Sequence, residues 1–106
     1  MKITFEQSGG FAGLRFSTAI DTDVLTPEKA QDLIRLVEAA DFFNLPARIV
    51  SIRPQPDRFQ YKLTVREKGR QHTVAVSEEA MPVSLGPLVK WLAEAARQGR
   101  EKGGKA

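Results

Sequence analysis

Apolar and polar residues alternate from Lys2 to Ser8, with Ile3 and Phe5 on one side and Lys2, Thr4 and Glu6 on the other. A period of two marks a strand with one buried face. Leu14 to Asp21 repeats it: Leu14, Phe16, Thr18 and Ile20 oppose Arg15, Ser17 and Asp21. Between the two runs lies Ser8-Gly9-Gly10-Phe11-Ala12-Gly13, short enough to join antiparallel neighbours as a hairpin. Three glycines in six residues suit a place where side chains would obstruct a turn or a partner. A phenylalanine at such a tip runs against the usual burial of aromatic side chains.

The period then changes to that of a helix. In Thr26-Pro27-Glu28 the threonine can cap free amides, proline fits the first helical position, and the carboxylate favours the positive end of the helix dipole. Ala30, Leu33, Ile34, Val37 and Ala40 follow as one apolar stripe. The helix is expected to fade near Asp41, with Pro46 blocking continuation and Phe42, Phe43 and Leu45 folding back as a plug at the core edge. Ala47 to Asp57, with Pro54 and Pro56, shows no lasting periodicity and predicts an irregular connection.

The clearest strand signal comes next, with Phe59, Tyr61, Leu63 and Val65 alternating with Gln60, Lys62, Thr64 and Arg66. Glu67-Lys68-Gly69-Arg70 supplies a turn, and a return strand from Gln71 to Ser77 puts His72, Val74 and Val76 on one side. A second helix follows, with Ser84 as its expected cap, Pro87 in its first turn and Leu85, Leu88, Val89, Leu92 and Ala95 or Ala96 as its stripe. Trp91 falls at the margin of that stripe. The order hairpin, helix, hairpin, helix predicts an α+β fold, a two-layer sandwich. Its four-stranded antiparallel sheet carries both helices on one face and leaves Lys62, Thr64 and Arg66 on a solvated face.

Composition narrows the function classes. At 106 residues the chain predicts one domain, residues 1–96, with a small core of its own. Without cysteine there is no disulfide framework, thiolate metal site or cysteine nucleophile. The start, Met1-Lys2-Ile3-Thr4-Phe5-Glu6, lacks the apolar run of a signal peptide, and no segment reaches membrane-spanning length. The expected compartment is the cytoplasm, with no membrane partner. The net charge of +3 sits in the segment from Arg97 to Ala106, where four cations face one carboxylate, so residues 1–96 are neutral. A basic tail with glycines, residues 97–106, predicts solvated disorder rather than a nucleic-acid arm.

No catalytic constellation emerges. His72 lies in a strand pattern without a sequence-adjacent partner, which favours a structural role over a general base or metal ligand. Asp21-Thr22-Asp23 lacks the further oxygen ligands and glycine of a calcium loop and reads as turn and cap residues. The glycine segment opens no helix and is followed by no Lys-Ser or Lys-Thr pair, so it is neither a dinucleotide fingerprint nor a phosphate loop. Two readings of it stay open, a wide hairpin turn with Phe11 folded inward and a protein-contact loop. A nucleic-acid surface built from Lys62, Arg66, Lys68, Arg70 and the tail would need outward aromatics, but Phe59 and Tyr61 share a side with Leu63 and Val65.

Taken in order, several motifs resemble the emfourin family. They are Lys2-Ile3-Thr4 leading into Ser8-Gly9-Gly10-Phe11-Ala12-Gly13-Leu14, and Ala39-Ala40-Asp41-Phe42-Phe43-Asn44-Leu45-Pro46. The second hairpin, Asp57-Arg58-Phe59-Gln60-Tyr61-Lys62-Leu63-Thr64-Val65 with His72-Thr73-Val74, and Pro82, Leu85, Pro87-Leu88 and Trp91-Leu92 complete the set. The resemblance spans residues 2 to about 92 and leaves out the tail and the stretch around Arg48–Pro56. It implies a non-enzymatic inhibitor of thermolysin-like zinc metallopeptidases, protealysin being the best-known target, without cofactor or metal and monomeric when free. Such enzymes favour a bulky apolar residue just after the scissile bond. Phe11 is therefore the expected anchor, with Gly9, Gly10, Ala12 and Gly13 shaping the loop and Ser8 and Leu14 framing it. Arg53 and Pro54 are a weaker, secondary contact. The rival functions are a non-inhibitory interaction module and a nucleic-acid-binding domain that uses the basic sheet face and the tail.

Overall fold

The computed structural model describes residues 1–9, 14–51 and 58–105. Five strands make one sheet: β1 (Lys2–Gly9), β2 (Leu14–Asp21), β3 (Arg48–Ile49), β4 (Phe59–Glu67) and β5 (Arg70–Ser77). Their spatial order is β2-β1-β4-β5-β3. Two antiparallel hairpins, β1–β2 and β4–β5, meet along an antiparallel β1–β4 seam that runs from Lys2 opposite Arg66 to Gly9 opposite Phe59. The β4–β5 turn places Lys68 (φ 50°) and Gly69 (φ 78°) in the left-handed region, the twist a two-residue hairpin favours.

The expected four-stranded antiparallel sheet is thus corrected to a five-stranded mixed one. The added strand, β3, pairs parallel to β5, and the Ala75 amide donates to the Ala47 carbonyl at 2.8 Å. Extended backbone leaving Pro46 finds the otherwise unpaired outer edge of β5. A two-residue pairing is too short to impose a visible period on the sequence.

Helix α1 (Pro27–Ala39) starts as its sequence predicts, the Thr26 hydroxyl accepting from the Lys29 amide at 3.3 Å with Pro27 in the first turn. It ends at Ala40, and Asp41 turns left-handed (φ 51°), its carboxylate accepting from the Asn44 side-chain amide at 2.8 Å. Helix α2 (Gly86–Lys105) begins later than Ser84; Leu85 occupies the position before it, its carbonyl accepting from the Val89 amide. The backbone of α2 runs on to Lys105. Arg97, Gln98, Arg100, Glu101 and Lys102 are good helix formers, and no proline interrupts them.

Leu33 and Val37 of α1 and Leu88, Val89, Leu92 and Ala96 of α2 share one buried cluster with Ile3, Phe5, Leu63, Val65, Val74 and Val76. Those strand residues alternate in sequence, so they occupy one face of the sheet, and both helices cover that face. On the other face Lys62 and Arg66 are exposed, and the Thr64 and Thr73 hydroxyls pair across strands at 2.9 Å. The expected plug forms as a tight turn, Phe42–Asn44. Phe42 is fully buried and meets Phe43 and His72 edge-on, while the Arg70 guanidinium lies over the Phe43 ring at 4.1 Å. His72 has the structural role its context suggests: its Nε2–H donates to the Leu45 carbonyl at 2.7 Å and locks the plug to β5.

Candidate partner-binding site

The glycine segment begins where β1 ends. Gly9 pairs with Leu14 on one side and with Phe59 on the other, so it closes the sheet at its loop end. Its φ of +100° is one that L side chains rarely adopt. A β-carbon there would also stand 2.6 Å from the Arg58 carbonyl oxygen, a backbone atom with little room to move. Only glycine lets β4 enter the sheet this close to the base of the first hairpin. One residue earlier, half-buried Ser8 lies between Arg15 and Gln60 on the face away from the helices.

The connection from β3 to β4 reaches the same end of the sheet and is held at both of its feet. The Ser51 amide donates to Ser77 Oγ at 2.8 Å, and the Phe59 amide donates to Glu78 Oε1 at 3.1 Å. Glu78 Oε2 also faces the Arg58 guanidinium at 3.7 Å. Ser77, the last residue of β5, and Glu78, the residue after it, therefore hold the two ends of a connection whose sequence shows no element of its own. Chain on either side of the first hairpin tip and chain entering β4 leave the sheet side by side.

Beneath this end lies a groove of about 600 Å³ between the sheet and α2. Phe16, Phe59 and Tyr61 form its sheet wall, Val89 and Ala93 form its helix wall, and Met81 also lines it. The Tyr61 ring stacks against Phe5 and tilts against Phe59, with centroids 6.0 and 6.4 Å apart. Burial, and then the negative charge of Glu78, raise the Tyr61 phenol above its ordinary 10.0, so it stays neutral. Exposed Lys90 and Arg97 stand at the rim.

Of the residues the sequence singles out, Ser8, Gly9 and Leu14 come together at the loop end beside Arg58 and Phe59. Gly10, Phe11, Ala12 and Gly13, and the secondary pair Arg53 and Pro54, lie outside the described residues. The described flanks of both segments nonetheless converge on one edge, a neighbourhood that separation in sequence conceals. Sequence reasoning missed the groove and the Ser77–Glu78 clasp. The signal was Phe16, Phe59 and Tyr61 clustered at the loop ends of their strands, where the helices cover the sheet incompletely.

Asp21 Oδ1 accepts from the Asp23 amide at 3.0 Å and caps a short turn, Thr22–Val24. Among the described residues no three His, Asp or Glu side chains gather as a metal ion requires, and no helix is long and apolar enough to cross a membrane. Phe59 and Tyr61 lie on the helix-covered side of the sheet, so the alternate face with Lys62 and Arg66 gains no stacking aromatic from β4.

A family model described as Emfourin matches residues 5–93. No curated protein and no solved structure matches the chain.

Proposed function

This chain belongs to the emfourin family, and on that premise we propose that it inhibits a thermolysin-like zinc metallopeptidase by occluding the active-site cleft. Family membership itself implies a protease-inhibitor role and no enzymatic activity. The finer reading, a protealysin-like target met by the segment Ser8 to Leu14, rests on the base of that loop. Gly9 is held at φ +100° against the Arg58 carbonyl, which fixes the direction in which the hairpin leaves the sheet. A rigid base under a short glycine-rich tip lowers the entropy lost on docking.

In this reading Phe11 enters the apolar pocket beside the catalytic zinc, and the glycines around it let the two backbones approach. Blockade is steric and hydrophobic. Burying a phenylalanine contributes roughly 1.5–3 kcal/mol, so Phe11→Ala weakens inhibition by about one to two orders of magnitude. The assay is inhibition of a thermolysin-like metallopeptidase, with a serine protease as control. No inhibition at micromolar protein overturns the reading, and an unchanged inhibition constant for a folded Phe11→Ala variant removes Phe11 as the anchor.

A further inference from the structure

We propose that the groove between the sheet and α2 is a second recognition site, which accepts an apolar side chain flanked by carboxylates on a segment of the target peptidase. The inference rests on the inhibitor reading for the identity of the partner, and on the groove alone for its chemistry.

Three observations carry it. The walls are apolar, from half-buried Phe16, Phe59, Tyr61, Met81 and Ala93, and a volume of about 600 Å³ takes a large side chain with neighbouring backbone. The charge at the mouth is unbalanced. Lys90 and Arg97 are seven residues apart on α2, hence on the same face and about 10 Å apart along the axis. Neither is in an ion pair among the described residues, whereas Glu78, the carboxylate of the lining, is committed to Arg58 and the Phe59 amide. Position supplies the third. Gln7 and Phe16 line the groove and face each other across β1 and β2, two residues from the Gly9–Leu14 pair that carries the loop. That is about 7 Å along the strands, so the groove lies beside the base from which the loop leaves the sheet.

An apolar anchor would thus enter between Phe59 and Ala93, with acidic neighbours on either side reaching Lys90 and Arg97. The cations steer the approach and set the register of the segment, and the apolar walls hold it. A cationic segment is rejected by the same pair.

The test uses two probes on the full chain. Amide shifts are followed by NMR during titration with acetyl-Glu-Glu-Leu-Phe-Glu-Glu-amide and with its counterpart carrying Lys for Glu. The acidic peptide should shift the amides of Phe59, Tyr61 and Ala93 saturably and bind at least about tenfold more tightly than the basic one. Lys90→Glu with Arg97→Glu should reverse that preference, and Ala93→Trp, which fills the groove, should abolish binding of both peptides. In parallel, the double charge reversal should raise the inhibition constant against a thermolysin-like peptidase at least about tenfold. Lys62→Glu with Arg66→Glu, on the opposite sheet face, should leave it unchanged. Shifts that map elsewhere, equal binding of the two peptides, or full inhibition by both groove variants overturn the proposal. A protein that inhibits no such peptidase yet binds the acidic peptide in the groove overturns the inhibitor reading and leaves the groove chemistry standing.

Discussion

Replacing Gly9 with alanine tests whether the base of the first hairpin is fixed by backbone geometry. Two penalties act there. An L residue at φ +100° is strained by about 1–3 kcal/mol. The new β-carbon also meets the Arg58 carbonyl oxygen at 2.6 Å, so β4 must withdraw from β1 at the seam. Gly69 separates the two effects, because it has φ +78° but nothing within 4 Å of the point where a methyl group would stand. Gly69→Ala should therefore show the backbone strain alone, and Gly9→Ala should exceed it by at least about 1 kcal/mol, within the usual range for overpacking. For a domain of this size each kcal/mol shifts the melting temperature by roughly 4–8 °C. Urea and thermal unfolding of both variants give the comparison directly. If Gly9→Ala is no less stable than Gly69→Ala, the close approach of Arg58 does not constrain the loop base.

Two further outcomes concern contacts elsewhere in the fold. Tyr61 is the chain's single tyrosine, so tyrosinate absorbance reports it alone, and its midpoint should lie above 10.0 and fall in Glu78→Gln. Because the folded pKa is raised, the stability linked to it is fully present below the unfolded value and lost as pH rises through the folded one. A Tyr61→Phe variant should show a weaker loss of stability in that alkaline window, and an ordinary midpoint of 10.0 would contradict the burial. Removing the His72 side chain strips the Leu45 carbonyl of its donor and Phe42 of an edge-on neighbour. His72→Ala should cost about 1–3 kcal/mol in urea unfolding, and a change within about 0.5 kcal/mol would show that the plug does not depend on it.

Most of the architecture is legible in the sequence because the signals are local. Alternation places Ile3, Phe5, Leu63 and Val65 on one face, and Thr26-Pro27 marks a helix start through short-range capping. β3 is not legible, since two residues paired with a distant edge leave no period. Beyond Ala96, Arg, Gln, Glu and Lys carry the backbone of α2 onward from a helix anchored by buried Leu88 and Leu92. At the candidate site, glycine content singles out Ser8 to Gly13 as the stretch to test. The fact that Gly9 abuts Arg58 depends on the β1–β4 register, joining residues 49 positions apart, and no local pattern encodes it.

The seam has a consequence for an inhibitor that is itself a peptide chain offered to a peptidase. β1 is an interior strand, laddered to β2 along its whole length and to β4 along the same eight residues, with Ile3 and Phe5 sealed in the core. A cut anywhere between Gly9 and Leu14 would sever the covalent path yet release nothing. The short N-terminal piece would stay in its slot, held from both edges and from below. The new ends would remain where the loop began, so under the proposed mode of inhibition hydrolysis would not by itself remove the obstruction.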